Sequence, residues 1–334
     1  PYISTQNEDE LAFHWLCESI VQSMKITTKQ LPFSFEQCQL EVIIDRDTFL
    51  ADEVVYQGNY NVAAASDFHG QYDLMKTLLT NNHIINEKGD WAFGNGHFVI
   101  TGDVFDRGDK VTEILWFLYE LEKQAELAGG KLHLLLGNHE VMVLNGDLRY
   151  LHPKYIETER FLEQPFETLF GKGTILGDWL RSKSVLVKIN NMLFAHGGFH
   201  PSLAKEKKSL VEINKTFKNN LVKSELARPR EGWAKYLHRT NGPIWYRGYF
   251  KSSRKKAPKD NGASSAEIDL LLNHFDIENL VVGHTSQTQV ETRYQGRVIA
   301  IDSSIKNGEY GEILIIEGNK KWRGTLQGEK ISLN

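Results

Sequence analysis

The stretch HFVITGDVFDRGDK, residues 97–110, begins as an apolar run and then places three aspartates within seven residues. The run HFVIT is typical of a buried strand, and the glycine and aspartate that follow predict that this strand ends in a turn at Asp103. Carboxylates as close in sequence as those of Asp103, Asp106 and Asp109 resist ionising together unless a positive charge lies among them. The stretch therefore predicts a strand with a cation-binding carboxylate at its C-terminal end.

Four other predicted strands are also followed by polar side chains that can bind a metal. YNVAAAS (60–66), KLHLLLG (131–137), NMLFA (191–195) and NLVVG (279–283) each lead into aspartate, asparagine or histidine. In α/β sheets the C-terminal ends of the strands border one crevice, so side chains far apart in sequence converge there. The candidate ligands at these five strand ends are Asp67, His69, Asp103, Asn138, His196 and His284.

Oxygen and imidazole donors without a thiolate favour Mn, Zn, Fe or Mg as the bound ion. One carboxylate shared by two ions is the usual way to hold a pair of metals about 3.5–4 Å apart, and two such ions would offset the negative charge around Asp103. A single aspartate or histidine at a strand end is more often a cap or turn residue, which is our interpretation of His97, His133 and Asp302. An EF-hand is excluded because DVFDRGDK lacks the required ligand spacing. Five coincident strand ends favour a two-metal site.

The periodicity of the chain before Tyr60 predicts a helix and a strand. Residues 8–24 carry apolar side chains at helical spacing, and QLEVIIDRDTFL (39–50) is typical of an edge strand. From Tyr60 onward predicted strands alternate with predicted helices over 70–82 and 111–130. This alternation indicates βαβ crossovers and a layered α/β core.

Residues 150–178 have a mostly helical pattern and are predicted to form an insertion over the core. The later strands are predicted to form a second sheet packed on the first, and they are SVLVKIN, NMLFA, NLVVG, RVIAID and GEILIIE. We therefore expect an N-terminal helix and edge-strand extension over 1–58, a catalytic domain over 59–320 with a helical insertion near 150–180, and a tail over 321–334.

Composition restricts the class of protein. The 334 residues are 41% hydrophobic and 25% charged, as in ordinary globular proteins, and the formal net charge of -4 argues against nucleic-acid binding. No apolar stretch approaches the roughly 20 residues that span a bilayer, and residues 1–10 lack the features of a secretory signal. We expect a soluble protein of the cytoplasm or periplasm, without a membrane span.

Two further features are expected to be structural. Cys17 and Cys38 form neither a disulfide framework nor a metal knuckle, and neither begins a Cys-x5-Arg phosphate loop, so we expect two structural thiols. The basic segment KSSRKKAPKDNG (251–262) is predicted to be a solvated loop, with phosphoprotein docking as the alternative.

Five short motifs together resemble a known family. SDFHG (66–70), GDVFDRG (102–108), GNHE (137–140), HGG (196–198) and GH (283–284) are similar, in this order, to the signature of calcineurin-like metallophosphoesterases. The second and third resemble the serine/threonine phosphoprotein phosphatase branch, and SDFHGQYD and GPIWYRG resemble its Shewanella-like group. The resemblance covers about two thirds of the chain. It implies an α/β fold in which a two-sheet β-sandwich is flanked by helices.

The family pattern implies a ligand set for two divalent ions, which would be Mn, Zn, Fe or Mg. Asp67 and His69 match ligands of the first metal, and Asp103 matches the bridging carboxylate. The residues that match ligands of the second metal are Asn138, His196 and His284. By this resemblance a metal-bridging hydroxide attacks phosphorus directly.

The remaining implied roles belong to four residues. His139 matches the general acid and Asp106 the residue that orients it, while Arg107 and Arg247 match the two arginines that bind phosphate oxygens. The substrate implied is a phosphorylated protein or peptide, with phosphotyrosine favoured by the resemblance alone. The sequence departs from the branch at Leu136, where an arginine is usual, and this change is expected to alter the electrostatics near the substrate.

Two alternative functions remain open on the residues. Symmetrical dinucleoside tetraphosphate hydrolases carry similar motifs, and Trp245, Tyr246 and Tyr249 suit either stacking on a base or lining a phosphotyrosine slot. A non-catalytic scaffold with the same fold is the second alternative. It is disfavoured because every ligand position and His139 are intact.

Overall fold

The computed structural model describes residues 1–7, 9–38, 40–250 and 262–333, so the basic segment 251–262 lies outside the described residues except for Gly262. The strands in chain order are β1 (Tyr2–Asn7), β2 (Glu10–Cys17), β3 (Ile20–Thr27), β4 (Phe33–Gln37), β5 (Leu40–Ile44), β6 (Val55–Tyr56), β7 (Val62–Ala65), β8 (His97–Ile100), β9 (Lys131–Leu134), β10 (Leu186–Ile189), β11 (Met192–Ala195), β12 (Asn279–Val282), β13 (Glu291–Arg293), β14 (Val298–Ala300), β15 (Glu312–Glu317), β16 (Lys320–Thr325) and β17 (Lys330–Ser332). The α-helices are α1 (Tyr72–Asn81), α2 (Val111–Leu127), α3 (Asn138–Leu144), α4 (Pro153–Leu162), α5 (Ile175–Ser182), α6 (Ser202–Lys205), α7 (Leu210–Lys218), α8 (Gly232–Leu237) and α9 (Ser265–Phe275). Short 3₁₀ helices lie at Thr28–Gln30, Phe166–Phe170, Lys223–Glu225 and Ile305–Asn307.

Two six-stranded sheets form the centre of the fold. The strand order is β17-β16-β15-β7-β8-β9 in the first sheet and β13-β14-β12-β11-β10-β6 in the second. Strands β7, β8 and β9 are mutually parallel, as are β11, β12 and β14. Parallel neighbours need long crossover connections, and α1 and α2 supply them between β7, β8 and β9. The predicted mixed α/β fold is confirmed.

Side chains alternate between the two faces of each sheet. Val62 and Ala64 of β7 belong to an apolar cluster that also contains Val281 and Ile299 of the second sheet, so this cluster lies between the sheets. The intervening residue Ala63 belongs to the larger apolar cluster that includes side chains of the helices. Because both faces of β7 are covered, its sequence is a continuous apolar run rather than an alternating one. This layering is the β-sandwich flanked by helices that the resemblance implied.

The prediction that GEILIIE lies in the second sheet is wrong. GEILIIE forms β15 and pairs antiparallel with β7, with Leu314 opposite Ala64, so it belongs to the first sheet. Both sheets are buried and apolar, and a continuous apolar run therefore fits either of them equally well. The helical pattern predicted over residues 150–178 is present as α4, a 3₁₀ helix and the start of α5.

The predicted N-terminal helix over residues 8–24 is wrong, since this segment forms the hairpin of β2 and β3. Leu11, Phe13 and Trp15 point to one face and are at most 8% exposed. Glu18 and Ser19 have φ angles of 48° and 66°, which make the two-residue turn between the strands. Phe13 and Trp15 of β2 pack against Phe35 of β4, which stabilises the strand. Tertiary contacts of this kind outweigh a helical spacing of apolar residues.

The expectation of two free structural thiols is also wrong. Cys17 and Cys38 form a disulfide, with their Cα atoms 5.9 Å apart. The bond joins the end of β2 to the turn between β4 and β5, a proximity that the predicted helix concealed.

Among the described residues, no helix combines the length and the apolar character that a membrane crossing requires.

Candidate active site

The C-terminal ends of strands from both sheets meet at one cavity of about 280 Å³. The turns after β7, β8 and β9 contribute from the first sheet, and those after β11 and β12 contribute from the second. Eight of the ten residues predicted for the site line this cavity, and they are Asp67, His69, Asp103, Arg107, Asn138, His139, Arg247 and His284. His196 lies fully buried in contact with Asn138, and Asp106 lies fully buried behind His139.

The turns at this edge hold an unusual backbone conformation. The residues other than glycine that have a left-handed φ, between 45° and 70°, in these turns are Asp67, His69, Asp103, Asp106, Arg107 and His284. Residues other than glycine adopt this conformation uncommonly, and several of them gathered at one edge are typical of a functional site, where the surrounding structure enforces the strain. Glycine is required beside them, since a Cβ at Gly102 would collide with the backbone nitrogen of Gly137.

Asp67, His69 and Asp103 form the first group of candidate metal ligands. His69 Nδ1 lies 2.7 Å from the carbonyl oxygen of Phe105, so this nitrogen carries the proton and donates, and Nε2 has a free lone pair. Nε2 lies 3.8 Å from Asp67 Oδ1 and 3.7 Å from Asp103 Oδ2. These separations are too long for hydrogen bonds and suit ligands of a shared ion. Burial lowers the pKa of His69 to about 3, which keeps the imidazole neutral as a metal ligand must be.

Asp103 also belongs to a second group, with Asn138, His196 and His284. His196 Nδ1 lies 3.0 Å from the carbonyl oxygen of Thr101, while Nε2 lies 2.9 Å from Asn138 Oδ1 and 3.1 Å from Asp103 Oδ2. His284 Nδ1 lies 3.1 Å from His196 Nε2, so this nitrogen of His284 faces the group. Imidazole nitrogens and carboxylate or amide oxygens gathered this closely are donors that divalent metals take. This donor set fits a divalent cation, and Asp103 is placed to serve both groups.

The pKa values of the buried carboxylates Asp67 and Asp103 depend on the charges around them. Burial raises the pKa of Asp67 to about 7, and the nearby carboxylate of Asp302 adds to the rise. Burial alone would also raise the pKa of Asp103, but His196 and His139 hold it well below its ordinary value. A divalent cation held by these residues would stabilise the charged form of both carboxylates.

His139 is held by Asp106 at the edge of this cluster. Its Nδ1 lies 2.5 Å from Asp106 Oδ2, and its Nε2 lies 3.8 Å from Asp103 Oδ2 on the side of the ligands. Burial alone would lower the pKa of His139, yet Asp103 and Asp106 raise it. The second oxygen of Asp106 is buried with no partner in the described part of the chain, so the carboxylate is devoted to His139. This is the geometry of an oriented proton donor.

Four residues that the sequence analysis did not assign to the site also line the cavity or support it. Arg149, Tyr150 and Lys306 line it together with the predicted arginines. Glu140 is fully buried beneath it and accepts hydrogen bonds from the backbone nitrogens of Asp103, Val104, Phe105 and Gly137. Glu140 thereby ties the turn after β8 to the turn after β9. Its position three residues after Gly137, as in a capping box, was the available sequence signal.

The aromatic residues named as a possible base or phosphotyrosine slot are only partly at the site. Trp245 lines the cavity, but Tyr246 and Tyr249 are buried in the core. The hydroxyl of Tyr249 donates to the carbonyl oxygen of Phe199 at 2.8 Å, which shows a structural role. Tyr150, which is 44% exposed, lines the cavity together with Trp245.

The residues interpreted as caps are indeed away from the ligand groups or at turns. His133 Nε2 lies 2.9 Å from His97 Nδ1 in a buried pair outside the cavity. Asp302 accepts hydrogen bonds from Ser286 Oγ and from the backbone nitrogen of Ser304, as a turn residue does. The negative charge of Asp302 nevertheless helps to raise the pKa of Asp67, an effect that the sequence did not indicate.

Comparison with known proteins gives one family. Residues 60–287 match the sequence model of the calcineurin-like phosphoesterases. The structure is similar to that of the cold-active protein-tyrosine phosphatase of a psychrophilic Shewanella species, with a TM-score of 0.91 and 39% identity over 100% of this chain and 98% of that chain. The sequence is 30% identical to Shewanella-like protein phosphatase 1 of Plasmodium berghei over 69% of this chain and 62% of the relative. It is 29% identical to an uncharacterised protein of Schizosaccharomyces pombe over 76% of each.

Proposed function

We propose that this chain removes phosphate from phosphotyrosine in proteins. The chain belongs to the calcineurin-like phosphoesterase family and is a phosphoric monoester hydrolase. Members of the family use divalent metal ions. The similar Shewanella structure is that of a protein-tyrosine phosphatase, which supports the choice of substrate.

The observation that carries the phosphotyrosine proposal is the aromatic rim of the cavity. Tyr150 and Trp245 line the same space as the candidate ligands. The guanidinium of Arg107 lies 5.2 Å from the ring centre of Tyr150, so a phosphate-binding group and an aromatic surface are adjacent. The ring of an aryl phosphate lies directly beyond its ester oxygen and can pack on such a surface. The short methylene of phosphoserine leaves this surface uncovered.

We assign one divalent ion to Asp67, His69 and Asp103. The residues assigned to a second ion are Asp103, Asn138, His196 and His284. When bound, the two ions supply the Lewis-acid charge that activates water and offsets charge on the phosphate. The proposed nucleophile is water and not a side chain, so we expect no covalent phosphoenzyme.

The side chains perform the binding and proton transfer. Arg107 and Arg247 bind phosphate oxygens, since a planar guanidinium can contact two of them at once. Arg247 is anchored for this role because its Nη1 donates to the carbonyl oxygen of His284 at 2.8 Å. His139 gives the proton on Nε2 to the leaving phenoxide, and Asp106 holds its Nδ1–H.

Initial rates on matched phosphotyrosine and phosphoserine peptides test the proposal. The protein is first stripped of metal, and rates are measured with and without added Mn, with diadenosine tetraphosphate as a third substrate. We expect metal-dependent hydrolysis with the higher kcat/KM on phosphotyrosine. A preference for phosphoserine or for the dinucleotide would overturn the substrate, and rates that are indifferent to metal would overturn the ligand assignment.

A further inference from the structure

A second and larger cavity, of about 940 Å³, lies next to the catalytic one. It is open to solvent and is lined mainly by the segment between α7 and Trp245. We call it the basic groove, because its lining includes the cationic residues Lys223, Arg228, Arg230, Lys235 and Arg239. None of these residues belongs to the motifs from which the catalytic site was predicted.

The basic groove and the catalytic cavity share a wall. Trp245 lines both of them, and its ring centre lies 5.7 Å from that of His284, a candidate metal ligand. Asp147 lines the groove, while its ion-pair partner Arg149, 2.7 Å away, lines the catalytic cavity. A polypeptide whose phosphorylated residue occupies the catalytic cavity can therefore extend into the groove over Trp245.

The charge of the groove is not balanced by the protein. Asp147 is the acidic residue in its lining, and its carboxylate is engaged by Arg149. Within the described part of the chain, no ion pair joins any of the five cationic side chains to an acidic one. This local excess contrasts with the chain's formal net charge of -4. Clefts lined by one sign of charge attract ligands of the opposite sign.

The groove also holds one of its cations in a fixed position. Arg230 is partly buried, and its Nε donates to the carbonyl oxygen of Asn220 at 2.6 Å. Burial and the charge of Arg239 lower the pKa of Arg230, and burial together with Arg230 lowers the pKa of the adjacent His238 to about 4. Lysine and arginine side chains are ordinarily exposed and solvated. The five cationic side chains of the basic groove instead converge in a concavity beside the catalytic site. Their positive potential can there attract an anionic part of a bound substrate.

We propose that the basic groove binds anionic side chains, carboxylates or a second phosphate, that flank the phosphorylated residue of the substrate peptide. This inference rests on the proposed function, and it adds a substrate class to it: phosphoproteins with an acidic sequence next to the scissile phosphate. The groove recognises charge rather than a particular residue, because four of its five cations are on exposed, flexible side chains spread over a wide opening.

Three phosphotyrosine peptides of equal length test the proposal, with neutral, glutamate-rich or second-phosphate flanks. We expect kcat/KM to be about tenfold higher on the anionic peptides at low salt, and this preference to fall toward one as ionic strength screens the groove. The double variant Arg228→Gln with Arg239→Gln should lose most of the preference while p-nitrophenyl phosphate is hydrolysed as before. The matched control is Lys88→Gln with Lys123→Gln, which removes the same charge from exposed residues outside the groove.

The outcomes separate the two proposals. Equal kcat/KM on the three peptides, or a preference that survives in the groove variant, overturns the groove while leaving the phosphatase function in place. Hydrolysis of p-nitrophenyl phosphate without hydrolysis of any peptide overturns the proposed function itself. A groove variant that loses activity on diadenosine tetraphosphate, but keeps its peptide preference, overturns the peptide in favour of a nucleotide polyphosphate. Preference for the glutamate or for the second-phosphate flank identifies the source of the anion.

Discussion

Removal of the Asp106 carboxylate should slow the reaction most for substrates with poor leaving groups. Asp106 is fully buried, and one of its oxygens lies 2.5 Å from Nδ1 of His139. Its other oxygen has no partner among the described residues, so the carboxylate is dedicated to this contact. In Asp106→Ala, His139 keeps its place in the chain but loses the group that orients it and stabilises its protonated form.

The size of the effect follows from the contact. A buried hydrogen bond to a charged group contributes about 1.5–3 kcal/mol, and each 1.36 kcal/mol is tenfold in rate, so kcat should fall by roughly 10- to 150-fold. Asp106→Asn keeps an acceptor oxygen but removes the charge. A neutral hydrogen bond retains about 1 kcal/mol, so the loss in Asp106→Asn should be several-fold smaller than in Asp106→Ala.

The assay compares kcat on p-nitrophenyl phosphate with kcat on a phosphoserine or alkyl phosphate substrate. Because p-nitrophenolate leaves without protonation, its rate should fall much less than that of the alkyl ester. Asp109→Asn is the matched control, since Asp109 is exposed and directly follows the same motif. Bound metal is measured in every variant. Equal losses on both substrates with metal retained would refute the role of His139 as a proton donor.

The other predictions concern metal binding and stability. Asp103→Asn should abolish activity and metal retention together, because this carboxylate serves both ligand groups; an active variant without metal, by elemental analysis, would contradict the assignment. Lys183→Met should lower the free energy of unfolding by about 1.5–3 kcal/mol, since the buried Glu122 carboxylate loses its lysine and keeps Arg46 and Trp179, and urea denaturation measures this. Burial alone would raise the pKa of Glu122, but Lys183 holds it below its ordinary value; the stability from this pair is therefore present at neutral pH and lost as the pH falls through the folded-state pKa. Cys17→Ser with Cys38→Ser should cost about 3 kcal/mol for a loop of 21 residues and leave kcat unchanged, whereas a loss of kcat with full stability would contradict a purely structural bond.

The parts of the molecule that the sequence predicted share one physical property. Strands such as β7 and β8 are buried on both faces, so their apolar runs are unambiguous and their ends are marked by glycine and polar residues. The family, the α/β fold and the convergence of the candidate ligands followed from those strand ends. The N-terminal hairpin lacked this property, because one face of β3 is exposed and its mixed pattern suited a helix as well as a strand.

Residues that act through space, without a motif, could not be predicted from the sequence. Asp302 ends an apolar strand as many turn residues do, and its effect on Asp67 depends on how the two sheets are placed against each other. Tyr150 and Lys306 line the cavity from a loop and a 3₁₀ turn whose positions are set by packing, not by periodicity. The basic groove could not be predicted for the same reason. Its cations are typical surface residues in the sequence, and only the fold brings them together beside Trp245. Chemistry at this site is therefore predictable from its strand ends, whereas substrate selection depends on the loops that surround them.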